Sequence, residues 1–172
     1  MKVYICEICG DAYIGTDKPH DCPFCGAKNN FIKDGAEANP VFLREEALSE
    51  ETKKRMQATY DLEVEAVATY NCMAGRAKTY ETKAMYKRLA KVEAEHATIV
   101  TKFLGTPRPT IGEGSCSDDE KENYEKTVSL EDHAAKLYAE FAKDSTETTA
   151  KIFFTALSQV EAGHIELIKN YL

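Results

Sequence analysis

Leu89-Ala90-Lys91-Val92-Glu93-Ala94-Glu95-His96 and Leu157-Ser158-Gln159-Val160-Glu161-Ala162-Gly163-His164 are variants of one stretch, set 68 residues apart. In each copy Leu, Val, Glu and His recur at offsets of zero, three, four and seven, which is one face of a helix. The face continues with Val100 in the first copy and Ile168 in the second, so it is otherwise apolar. Each copy thus places a carboxylate and an imidazole where a core should be. A buried carboxylate is very costly unless it is paired or bound to a metal.

The repeat extends well beyond these residues. Residues 49–104 align with 117–172 without a gap, with 15 identities in 56 positions. Ser49 pairs with Ser117, Leu62 with Leu130, Glu63 with Glu131, Ala66 with Ala134 and Tyr70 with Tyr138. A 56-residue unit is too long for one soluble helix, and Gly75-Arg76 lies near its middle. Each unit therefore reads as a helical hairpin. Helices are predicted near 49–75, 79–104, 118–143 and 146–171, each roughly 37 Å long at 1.5 Å per residue. Ser117-Asp118-Asp119-Glu120 fits a capping box, and Asp144-Ser145-Thr146-Glu147 resembles one. Short turns make the helices of a hairpin antiparallel neighbours. The Pro- and Gly-containing segment Gly105–Gly114 must then run most of the length of the bundle, which leaves open a swap of hairpins between chains.

Glu63, Ala66, Val67, Tyr70 and Ala74 form one face of the first helix, and Glu131, Ala134, Ala135, Tyr138 and Ala142 repeat it in the third. Together with Glu93 and Glu161 this brings four carboxylates into one core, where they would repel one another. Two divalent metals cancel that charge, and Glu from two helices with Glu-x-x-His from the other two is a known di-metal arrangement. Glu93 and Glu161 read as the bridging carboxylates and Glu63 and Glu131 as terminal ligands, with His96 and His164 on one metal each. Tyr70 and Tyr138, one heptad beyond a Glu, read either as hydrogen-bond donors to these carboxylates or as ordinary core tyrosines. Glu65 and His133 lie about 200° around the helix from Glu63 and Glu131 and should point away.

Upstream of the repeat, Cys6-x-x-Cys9 and Cys22-x-x-Cys25 are separated by twelve residues. Two such pairs close a tetrahedral four-sulfur cage around one metal. Gly10 and Gly26 follow the pairs where tight turns call for positive φ. A segment of about 34 residues cannot build a core without such a staple. Zinc would make the site structural and iron a one-electron carrier, and the spacing does not choose between them. His20 reads as a surface residue, and Cys72 and Cys116 as separate free thiols, a disulfide between them being disfavoured in a reducing cytosol. The expected domains are 1–34 (metal knuckle), 35–46 (linker) and 47–172 (bundle).

The chain has 172 residues, 29 acidic and 22 basic, with a net charge of −7. It shows no obvious basic patch, which argues against nucleic acid as a partner. The longest run free of Asp, Glu, Lys and Arg, Ala66 to Gly75, is too short to span a membrane. Six Cys are too few for a secreted disulfide scaffold, and too few residues precede Cys6 for a signal peptide. A cytoplasmic protein with reduced thiols is expected.

A short four-cysteine knuckle joined to a bundle carrying Glu63, Glu93-x-x-His96, Glu131 and Glu161-x-x-His164 resembles the rubrerythrin family, and the order, knuckle first, resembles its reverse-order members. The resemblance covers nearly the whole chain. It implies a rubredoxin-like domain followed by a mainly α, ferritin-like four-helix bundle, with iron at Cys6, Cys9, Cys22 and Cys25 and a di-iron centre at the six Glu and His residues. Zinc is an alternative occupant of either site. The implied activity is reduction of hydrogen peroxide, or of dioxygen, to water. Electrons would come from NAD(P)H through a rubredoxin reductase or a rubredoxin. A homodimer is also implied, with the knuckle of one subunit close to the di-iron site of the other. A ferritin-type ferroxidase and a non-enzymatic zinc-ribbon protein are the alternatives. One departure stands out: where typical members carry a further Glu one turn after the third-helix ligand, this chain has Ala134. The donor set is then a symmetric four Glu and two His, and ligand exchange that uses the extra carboxylate cannot be carried over.

Overall fold

Residues 1–172 are described by a computed structural model. Three short strands, β1 (Lys2–Cys6), β2 (Ala12–Gly15) and β3 (Ile32–Asp34), form an antiparallel sheet in the order β2-β1-β3. Four helices follow: α1 (Glu50–Arg76), α2 (Tyr80–Leu104), α3 (Glu120–Asp144) and α4 (Thr148–Lys169). The four helices that the repeat predicts are all present, each within about two residues of its expected ends. No helix is long and apolar enough to cross a membrane.

Local chemistry sets most of the helix ends. Ser49 and Thr79 accept from the amides of Thr52 and Thr82 and start α1 and α2. Helix α2 stops at Gly105, whose φ of 65° is left-handed, the usual conformation after a helix end. Two expected caps are corrected. Ser117 does not cap α3; Asp119 does, accepting from Lys121 and Glu122 N–H, while the Ser117 hydroxyl receives the Asp119 amide. Asp144 does not begin α4 but ends α3. Helix α4 starts later and is capped from a distance, by the Glu46 carboxylate accepting from Thr148 and Thr149 N–H at 2.8 and 2.7 Å. Glu147 in turn accepts from Ser49 N–H at 2.5 Å and from the Thr52 hydroxyl at 2.7 Å. The starts of α1 and α4 are thereby tied together at one end of the bundle.

The segment 105–119 does run from one end of the bundle to the other, along the outer side of α1. Gly114 lies so close to this helix that an added Cβ would fall 2.0 Å from the Ala68 carbonyl oxygen. Two residues on, Cys116 meets Cys72 of α1 in a disulfide, with Cα atoms 5.9 Å apart. This corrects the reading of both as free thiols. The expected reducing environment argued against this pair, but the loop folds back on the helix and brings the two cysteines together across a separation of 44 residues.

The N-terminal domain is not a bead on a tether. Ile8, Ile32 and Val41 share one hydrophobic cluster with Ile99 and Val100 of α2 and Phe153, Phe154 and Leu157 of α4. Much of the span read as a linker is part of this packing: Val41 is fully buried, and its amide donates to the Glu7 carbonyl at 2.8 Å. A second cluster at the other end joins Met73, Tyr86, Leu89, Tyr124 and Ile168.

Candidate metal centres

The four cysteines of the knuckle are buried and reduced. The Sγ atoms of Cys6 and Cys25, and of Cys9 and Cys22, are 3.7 Å apart. Four sulfurs about 2.3 Å from one metal would stand roughly 3.8 Å from each other in a tetrahedron, so this spacing fits. Each loop is a tight turn in which the glycine amide returns to the first cysteine's carbonyl, Gly10 to Cys6 at 2.8 Å and Gly26 to Cys22 at 3.0 Å. The φ angles of 81° and 76° favour glycine at both positions. His20 is almost fully exposed and pairs with Asp21, away from the sulfurs.

The second centre lies in the bundle core. Glu63 from α1, Glu93 and His96 from α2, Glu131 from α3, and Glu161 and His164 from α4 converge there. Their donor atoms form two overlapping quartets, Glu63-Glu93-His96-Glu161 and Glu93-Glu131-Glu161-His164. Glu93 and Glu161 belong to both. His96 Nδ1 is 2.9 Å from Glu93 and 3.2 Å from Glu161. His164 Nδ1 is 2.9 Å from Glu161 and 3.3 Å from Glu93. The two tyrosines cross between hairpins: Tyr70 donates to Glu131 and Tyr138 to Glu63, both at 2.5 Å.

Both carboxylate oxygens of Glu93 and of Glu161, and Nδ1 of both histidines, are buried without a hydrogen-bond partner. Native interiors rarely leave such groups unsatisfied. These are the atoms that two metal ions would engage, so the donor set fits a di-metal site. Burial pushes the Glu63 carboxyl up to about 8, against the pull of His96. Burial likewise pushes Glu131 up, helped by Glu93 and Glu161. In both histidines burial opposes the charged form, but the surrounding carboxylates outweigh it and hold the imidazolium. Without metal the centre therefore retains protons.

The two centres touch. His96 Nε2 lies 2.9 Å from the carbonyl oxygen of Cys25, so the ring donates to the knuckle through Nε2 and turns Nδ1 to the carboxylates. Helix α2 supplies two more donors: Arg88 to the Pro23 and Phe24 carbonyls, and Lys102 to the Cys9 carbonyl at 2.6 Å. These contacts lie on the α2 and α4 side of the site, where Val160 also packs on Gly26. A narrow cavity of about 40 Å³ reaches the centre from the α1 and α3 side, past Leu62, Ala66, Leu130 and Ala134. Glu65 and His133 are exposed and stand at its rim, outside the carboxylate cluster. No local pattern in the sequence marks Arg88 or Lys102, whose partners lie 65 and 93 residues away.

A rubrerythrin family profile matches residues 54–172. Reverse rubrerythrin-1 of Clostridium acetobutylicum is 34% identical over 115 residues, spanning 61% of this chain and 63% of that protein. No solved structure matches.

Proposed function

The chain belongs to the rubrerythrin family of non-haem iron proteins, and on that premise we propose that it reduces hydrogen peroxide, with dioxygen as an alternative oxidant, using electrons relayed through iron at the four-cysteine site. The observation that carries this reading is the contact between His96 Nε2 and the Cys25 carbonyl. Through this bond, donated by His96, a cysteine loop is joined directly to a residue of the buried cluster, which is the connection a relay between the two sites would use.

In this reading Glu63, Glu93, His96, Glu131, Glu161 and His164 hold two irons, and Cys6, Cys9, Cys22 and Cys25 hold a third. Bound iron supplies the electrons and the Lewis acidity at which an O–O bond breaks. The chain's own residues do the rest. Glu93 and Glu161, which belong to both quartets, would be shared between the two metals, and the four carboxylates of Glu63, Glu93, Glu131 and Glu161 together set the charge of the site. Tyr138 and Tyr70 fix the terminal carboxylates through their hydroxyls and keep those protons near the cavity. Ala66 and Ala134 leave a passage suited to a molecule the size of peroxide or dioxygen, while Leu62 and Leu130 limit water. Electrons enter from the α2 and α4 side and the oxidant from the α1 and α3 side, so the two need not compete for access.

The symmetric donor set and Ala134 favour a second reading, ferritin-type oxidation of ferrous iron, in which the knuckle plays no part. Anaerobic reduction of the iron-loaded protein, followed by rapid mixing with peroxide or with dioxygen, separates the two. Peroxidase action predicts return of the visible absorption of the oxidised four-cysteine site at the rate of peroxide consumption. If that site stays reduced, or holds zinc and is colourless, the relay fails.

A further inference from the structure

One face of α2 departs from the acidic character of the chain. Tyr80, Lys83, Ala84, Lys87, Arg88 and Lys91 line a single shallow depression on the surface. A linear reading finds no basic patch because these cations are interleaved with apolar residues; successive i, i+4 steps bring Lys83, Lys87 and Lys91 onto one flank. All three are exposed, and the ion pairs of the chain involve other residues. Like charges at this spacing destabilise a helix, so the stripe is kept at a local cost in a chain with seven surplus acids. Arg88 closes the stripe on the knuckle side, where it binds the Pro23 and Phe24 carbonyls between Cys22 and Cys25. Pro23 is exposed at this edge, and the nearby acid Asp21 is paired with Lys28 at 3.4 Å.

We propose that this face docks an acidic one-electron carrier protein, with its redox centre against the Cys22–Cys25 loop. The inference rests on iron at the four-cysteine site. One electron passes from the reduced carrier to the ferric four-thiolate site, which becomes ferrous; no bond forms or breaks and no proton moves. A nicotinamide does not fit this position, because it gives up a hydride, two electrons at once, and a single iron takes one. The unpaired lysines supply attraction and orientation for an acidic rim, which acts mainly on the association rate and is weakened by salt.

The test uses the full-length, iron-loaded chain and an acidic rubredoxin as the carrier. Binding is measured by titration with the oxidised carrier. The rate of knuckle reduction is measured by stopped-flow absorbance with the reduced carrier. In Lys83→Glu/Lys87→Glu/Lys91→Glu both should fall by about tenfold or more, and in the Lys→Gln triple variant by less. Raising the salt from about 0.05 M to about 0.5 M should weaken the wild-type complex similarly. Reduction by a small neutral flavin should not change, which shows the knuckle to be intact. Binding and rate that stay within about twofold in the Glu variant overturn the proposal, as does duplex DNA binding more tightly than the carrier with the same lysine dependence. If docking follows the lysines but peroxide never re-oxidises the four-cysteine site, the docking face stands and the relay falls.

Discussion

Glu63 and Glu131 each answer to one partner in either hairpin. Glu131 of α3 accepts from Tyr70 of α1 and lies 3.4 Å from His164 of α4, and Glu63 has the mirrored set. Removal of the tyrosine hydroxyl leaves the carboxylate in place but free to rotate. Tyr70→Phe should therefore weaken the second metal of the bundle by about 10–100-fold, read by competition with a chelator, and leave the knuckle absorption unchanged. Glu131→Ala goes further: metal content should fall by one ion per chain by elemental analysis, and unchanged content would remove Glu131 from the ligand set. Protonation supplies an independent check. Burial holds Glu63 protonated up to about pH 8, and the carboxylates keep His96 and His164 charged in the metal-free chain. Metal must displace these protons, so loading near pH 7 should release them. Calorimetry in buffers of different ionisation enthalpy should detect the release. The six donors could be picked out in the sequence because helical spacing puts them on apolar stripes, twice. Arg88 and Lys102 could not, since each is an ordinary helix cation until the knuckle folds against it.

The four helices depend on both local and distant signals. Their number and approximate limits follow from the internal repeat and from the Gly and Pro residues between its copies. Their caps follow only in part. Ser49 acts locally, but α4 is capped by Glu46 from 102 residues away, and no local pattern reveals that. Glu147 is the other half of this tie. Burial pushes its carboxyl up, but donation from the Ser49 amide and the Thr52 hydroxyl outweighs burial and holds it well below the usual carboxylate range. A carboxyl depressed on folding stabilises the fold fully above the unfolded pKa of about 4.3, and this contribution is lost as pH falls through the folded value. Glu147→Gln should cost about 1–3 kcal/mol near neutrality and flatten the loss of stability below about pH 4, measured by urea titration across pH. The crossing loop offers a separate test. Its cystine closes a 44-residue separation, so Cys116→Ser should lower stability by about 2–4 kcal/mol. Added reductant should destabilise the wild type and leave the variant unchanged. The same loop explains Gly114, where even Ala would force the strap off the Ala68 carbonyl.

At the scale of the whole molecule, the arrangement turns on where the knuckle sits. The resemblance implies that one subunit's knuckle serves the other subunit's di-iron site. In this fold one chain already makes the juxtaposition: Arg88, His96 and Lys102 reach from a single helix to the carbonyls of both cysteine loops, and one hydrophobic cluster spans the junction. The amino-acid sequence could not reveal this, because a CxxC spacing fixes a cage but not its docking face. Under the proposed function, two opposite sides of the centre would take separate tasks, the knuckle side for electrons and the narrow cleft between α1 and α3 for the oxidant. The consequence is kinetic. If the path runs from the four-cysteine site through the Cys25 carbonyl to His96, transfer belongs to the chain and not to an encounter between chains. The rate at which peroxide re-oxidises the reduced knuckle should then stay the same over a hundredfold dilution. Mixing chains that lack only the knuckle cysteines, through Cys22→Ser and Cys25→Ser, with chains that carry only Glu131→Ala should restore little re-oxidation. Restoration to about half the wild-type rate would instead place the working pair across a subunit boundary.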